Sequence, residues 1–201
     1  ATGIDAISHA VETYVTTRGN PVSRRFSREA WGRLAEGFER VAHHPNEIDV
    51  RSKMLYGAHL AGAAIEHSML GATHALVNPL SAHYQMTHGV AIGIMLPHVI
   101  RYNQDCVGEA YAELVEDAAV GDGDGRPAGE VLAEYIERLA RTAGLPATLE
   151  QCDIDDNDID VMAHEAAEQW TGRFNPRPVE VGDFEELYRC AMAERERPTS
   201  D

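Results

Sequence analysis

Apolar residues return every three to four positions from the start of the chain, at Ile4, Ile7, Val11 and Val15. This is the stripe of a helix with one buried face. Thr2 offers a side-chain cap for it, and the run Arg18-Gly19-Asn20-Pro21 breaks it after about Thr16. A second helix, started by Ser23, carries Phe26, Trp31, Leu34 and Phe38, and His43-His44-Pro45-Asn46 is the next turn. A long helix from about Glu47 to Met69 has a centre of small residues between Gly57 and Ala64, which permits close backbone approach. Gly71 to Gln85 reads as helix interrupted at Asn78-Pro79, where proline removes a backbone donor and should bend or break it. Gly89 opens the most apolar helix, predicted to end near Pro97.

Beyond Asn103 the helices become amphipathic and acidic, and Gly121 to Gly125 is predicted to be a flexible surface loop. The last third holds an acidic turn from Asp153 to Asn157, a helix to about Thr171 and the loop Asn175-Pro-Arg-Pro178. Phe184 to Ala193 makes a closing helix, with a frayed tail from about Arg197. No alternating run is long enough to force a strand, so the predicted class is all-α over residues 1–201 as one multi-helix domain.

The 201 residues suffice for one solid core, and 44% hydrophobic content suits it. The longest apolar stretch, Val90 to Leu96, is far too short to span a bilayer, and no secretory leader opens the chain. A net charge of −16 excludes a nucleic-acid role that needs a cationic face. Lys53 is the only lysine, an acidic, arginine-based balance that fits either a salt-adapted or GC-rich source or ordinary solubility. Cys106, Cys152 and Cys190 contain no CxxC and read as reduced, structural cysteines, which together with the absent leader predicts a cytoplasmic protein. Ala1 has no methionine before it and site-type residues begin at position 5, so the chain is read as a fragment or single domain of a longer protein.

Those residues carry the chemistry. Asp5 and His9, four apart, share one helical face, and His74 and His88 supply two more imidazoles. One carboxylate with three imidazoles suits Fe(II) or Zn(II) rather than the all-oxygen sites of calcium or magnesium. Four protein ligands leave coordination positions open, which is the arrangement of a catalytic centre. Other strings fail. His164-Glu165-Ala-Ala-Glu168 begins like a zinc-protease helix but lacks the second histidine. Asp153-x-Asp155-x-Asn157 imitates a calcium loop, yet Asp158 stands where glycine is needed and His164 where a bidentate glutamate belongs. No HD dipeptide, GxSxG, P-loop or GxGxxG is present.

The strings GIDAISHAVETYVT and HALVNPLSAHYQMTHGVAIGIMLPHVIRYN, and more weakly FNPRPVEVGDFEELYRCAM, resemble the C-terminal helical half of iron-containing (group III) alcohol dehydrogenases. The resemblance covers essentially the whole chain. It implies the dehydroquinate synthase-like helical fold, without the α/β nucleotide-binding domain that precedes it in the family. It implies Asp5, His9, His74 and His88 as metal ligands, Fe(II) or Zn(II) as the metal, and NAD or NADP as cofactor of the longer protein. The implied reaction is reversible hydride transfer between a small alcohol and its aldehyde or ketone, with the cleft between the two domains as active site.

Two departures qualify the resemblance. Many members carry histidine four residues after the third ligand, and Asn78 stands there; His83 on the following turn reads either as a substitute pocket residue or as an exposed or packed histidine. The nucleotide domain, roughly 180 upstream residues, is absent, so the chain alone is expected to bind metal without turning over alcohol. Glu12, one turn beyond His9, reads either as an acceptor orienting that imidazole or as a solvated surface group; His67 and His98 read as structural. Three readings stay open: the dehydrogenase half, a free-standing helical metal-binding or interaction domain, and a hydroxy-acid, oxo-acid or maleylacetate-type reductase of the same fold. Neither the alcohol nor the oligomeric state is fixed by these residues, although family members often form homodimers.

Overall fold

The computed structural model describes residues 1–121 and 125–193. Eight α-helices form among them: α1 Thr2–Val15, α2 Pro21–His43, α3 Ile48–Glu66, α4 Ala72–Tyr84, α5 His88–Asp117, α6 Ala128–Thr142, α7 Ile159–Glu168 and α8 Val181–Met192. Short 3₁₀ turns at Glu150–Cys152, Asp156–Asp158 and Trp170–Phe174 join the later helices, and no strand occurs among the described residues. None of these helices is long and apolar enough to cross a membrane. The loop residues 122–124 and the tail from 194, including the expected fraying at Arg197, lie outside the described part.

Helix α1 is the axis of the arrangement, packing against α2, α3 and α5, while α4 lies on α5 and α7. Ile4, Ile7 and Val11 are at most 1% exposed, so the stripe read from the sequence is the buried face. Trp31 of α2 is fully buried; its indole N–H donates to the Leu114 carbonyl of α5 at 2.8 Å, and its ring meets Tyr135 of α6 edge-on. Tyr188 of α8 donates to the Leu76 carbonyl of α4 at 2.5 Å. A shared polar contact, Thr13 Oγ1 to Ser27 Oγ at 2.7 Å, ties α1 to α2. The small-residue centre of α3 is used as expected: Gly57 presses on the Leu34 side chain of α2, where a β-carbon would lie 2.8 Å away.

Several boundaries differ from expectation. Thr2 is not a cap: Ala1 occupies that position and makes no side-chain cap bond. The second helix starts at Pro21, with Asn20 accepting from the Val22 and Ser23 amides and Ser23 closing a capping box. α4 runs unbroken through Pro79, because the proline and its neighbours Leu76, Val77 and Leu80 are buried, and that burial outweighs one missing backbone bond. α5 likewise continues past Pro97, and its irregularity falls at Val107, with φ −136° and ψ 24°. The helix expected to reach Thr171 ends at Glu168 and gives way to a 3₁₀ turn. The three cysteines are free; Cys106 and Cys190 are exposed, so they do not fill the core.

Candidate metal centre

The four residues singled out by spacing arrive from three helices. Asp5 and His9 lie one turn apart on α1, His74 lies in the first turn of α4, and His88 is the first residue of α5. Two backbone features bring them together. Gln85, left-handed at φ 51°, ends α4 and lets the chain reverse within three residues into α5. Gly89 then lies against the start of α1, where an added β-carbon would sit 2.4 Å from the Ala1 carbonyl oxygen. Glycine is the residue that allows this approach.

The convergence point is one oxygen. His9 Nε2 lies 3.4 Å from Asp5 Oδ1, His88 Nε2 3.4 Å and His74 Nε2 3.7 Å. The ring centroids of His74 are 5.0 Å from His9 and 5.4 Å from His88. Ligand atoms of Asp5, His74 and His88 all lie within 4.8 Å of one another, the one such group of His, Cys, Asp or Glu among the described residues. His9, its ring stacked on that of His74, shares the Asp5 oxygen from outside that group. Asn78 and His83 stand apart from it. Asn78 is exposed and donates to Gln169 Oε1 at 2.9 Å, while His83 turns to α7 and pairs with Glu165 at 2.8 Å. His67 stacks on Phe26.

Glu12 corrects both sequence readings of it: it is buried, at 5% exposure, and its partner is His74 rather than His9. His74 Nδ1–H donates to Glu12 Oε2 at 2.5 Å, and the Thr73 amide donates to Glu12 Oε1 at 2.8 Å. A carboxylate only accepts, so this bond assigns the proton to Nδ1 and turns Nε2 toward Asp5. The adjacent Ala72 amide donates to Asn175 Oδ1, and Asn175 and Asn103 exchange two amide bonds of 3.1 and 2.7 Å. The first turn of α4 is therefore capped by side chains from α1 and from the Asn175 loop. Gly71 leaves room for both. Spacing alone carried a usable signal for Glu12, which lies seven residues after Asp5 on the same helical face.

Burial and charge act against each other here. Burial works to raise the Asp5 carboxyl, but the imidazoles of His74 and His88 facing it pull it well below the usual carboxylate range. Burial lowers His9, outweighing the attraction of Asp5. In the metal-free chain burial disfavours both charges of the Glu12–His74 pair, yet each shifts the other toward its charged form, Glu12 downward and His74 upward; a cation on His74 Nε2 would take the place of the proton there.

The donor set fits a divalent transition metal. Asp5 Oδ1 and His74 Nε2 are buried polar atoms without a hydrogen-bond partner, an expensive state that a cation between them relieves. Ligand bonds of about 2.1 Å at a tetrahedral angle place neighbouring ligand atoms about 3.4 Å apart. The Asp5-to-imidazole separations of 3.4 to 3.7 Å match that spacing. The His88 side chain is 40% exposed, so the group is open to solvent on that side.

Comparison with known proteins agrees over the whole described chain. Residues 1–192 match the model of the Fe-containing alcohol dehydrogenase family, C-terminal. The 1,3-propanediol dehydrogenase of Citrobacter freundii is 33% identical over 195 residues, 96% of this chain and 50% of that one. A crystal structure of a 1,3-propanediol oxidoreductase superposes with a TM-score of 0.91 at 30% identity, covering 95% of this chain and 50% of that one. The maleylacetate reductase of Agrobacterium tumefaciens superposes at 0.80 with 27% identity, covering 95% and 51%. The chain thus spans about half the length of the relatives it matches, and that half is their C-terminal part. It belongs to the Fe-containing alcohol dehydrogenase family, as the C-terminal domain.

Proposed function

We propose that this chain is the metal- and substrate-binding half of an NAD(P)-dependent alcohol dehydrogenase, with Asp5, His9, His74 and His88 as ligands of Fe(II) or Zn(II). The observation that carries the reading is the pair of partnerless buried atoms, Asp5 Oδ1 and His74 Nε2, facing one another with His88 beside them. Asp5, His9, His74 and His88 would hold a divalent cation there, which would supply Lewis-acid chemistry toward an alcohol or carbonyl oxygen. Asp5 and the imidazoles fix the position of that charge, and the exposed His88 side leaves the substrate its approach. Hydride acceptance belongs to the nicotinamide of a nucleotide-binding partner domain, so the isolated chain is inactive toward alcohols. The similarity to 1,3-propanediol dehydrogenase supports a small primary alcohol as substrate. A cytoplasmic location accompanies this reading.

The likeness to maleylacetate reductase keeps a reductase of the same fold as the second reading. A metal-independent reductase has no need of partnerless ligand atoms, so the orphaned pair favours the first. The test is an assay of the longer polypeptide with NAD and NADP against 1,3-propanediol, simple primary alcohols and maleylacetate. Alcohol oxidation lost on chelation and restored by Fe(II) or Zn(II) supports the proposal; chelator-resistant reduction of maleylacetate alone overturns it.

A further inference from the structure

We propose that Glu12 is a positioning residue of this centre, holding His74 from behind and placing a second carboxylate charge one imidazole away from the cation. The inference rests on the metal-binding reading above. Both Glu12 oxygens are engaged, Oε2 by His74 Nδ1–H and Oε1 by the Thr73 amide, so the carboxylate has no rotational freedom to release the ring. Gly71 sets how close it comes: a β-carbon there would lie 3.1 Å from Glu12 Oε1 and from Asn175 Oδ1.

Packing alone does not explain a carboxylate at this position. Capping the Thr73 amide needs only a neutral acceptor, which glutamine supplies without the cost of burying a charge. The negative charge gains its use through His74, because a carboxylate accepting from Nδ1–H makes Nε2 a stronger donor to a metal and fixes its direction. Charge balance agrees. Asp5 and Glu12 together carry two negative charges, matching a divalent ion surrounded by neutral imidazoles. The arrangement also explains why His74 is the most buried of the three histidines around Asp5, with 7% of its side chain exposed against 23% for His9 and 40% for His88.

The experiment compares zinc affinity of the wild-type chain and Glu12→Gln by competition with a chromogenic chelator, with circular dichroism of both metal-free proteins. The expected result is a roughly ten- to hundred-fold loss of affinity in a variant that keeps its helices. The cobalt(II) absorption bands should change shape as well, which a purely structural role would not produce. Equal affinity and equal cobalt spectra in the two proteins overturn the inference while leaving the metal site standing. A wild-type chain that takes up neither metal overturns both. If Glu12→Gln does not fold, proton NMR of the cobalt-loaded wild type decides. One shifted imidazole N–H should exchange slowly with solvent, that of His74 sealed against Glu12; uniformly fast exchange overturns the inference.

Discussion

Gly89 and Ala1 touch backbone to backbone, with no space between them for even a methyl group. That contact joins the first turn of α5 to the first turn of α1, and so sets the distance from His88 to Asp5. Gly89→Ala is expected to cost about 1–3 kcal/mol, the usual scale for overpacking, and to weaken metal binding by moving His88 away. Urea unfolding of the metal-free chain and a zinc titration check the two effects together. An unchanged midpoint with unchanged affinity would show that the contact does not position the histidine.

His74 and His88 should behave differently when truncated, although both face the same oxygen. His74→Ala leaves the Glu12 carboxylate buried with only the Thr73 amide, an unpaired charge expected to cost about 3–5 kcal/mol. His88→Ala removes a side chain that is 40% exposed and should cost about 1 kcal/mol or less. Metal uptake should fall in both. Unfolding midpoints of the two metal-free variants measure the contrast, and similar destabilisation would refute the assigned role of Glu12.

Away from the centre, Tyr14 of α1 donates to Glu113 of α5 at 2.5 Å, and Arg28 of α2 joins the same carboxylate at 2.6 Å. Burial first, and then the Glu113 carboxylate, push the Tyr14 phenol up to about 12. A raised folded-state value means the neutral phenol is favoured by folding. Its stabilisation is therefore complete below about pH 10 and is lost as pH climbs toward 12. Unfolding measured from pH 9 to 12 should show a steeper loss in the wild type than in Tyr14→Phe. Parallel curves would contradict the assignment.

Local pattern made much of this molecule legible. The stripe Ile4, Ile7, Val11, Val15 and the break near Asn20-Pro21 are short-range signals, and the structure uses both, although Pro21 opens α2 instead of belonging to the break. The approach of Asp5, His9, His74 and His88 to one another was legible because helical spacing and a histidine before glycine are local features too. What local reading missed was decided by neighbours distant in the chain. Pro79 and Pro97 look like helix ends, yet α4 and α5 continue because the helix surfaces around them are buried against other elements. The irregularity of α5 falls at Val107, next to Gly108, a glycine whose weight in a helix interior cannot be judged from its immediate neighbours. Position along α1 offers Glu12 only His9 or solvent, whereas tertiary packing delivers His74 to it from 62 residues away. Asn175, which caps α4 from 103 residues away, carried no sequence sign of that role.

Metal content is the shortest test of the proposed divalent ion on Asp5, His9, His74 and His88. The chain should be purified without oxygen and analysed for iron and zinc beside an Asp5→Ala, His88→Ala double variant, with helical content recorded for both. Near-stoichiometric metal is expected in the wild type and only traces in the folded double variant. A folded wild type without metal, or equal metal in both proteins, would contradict it.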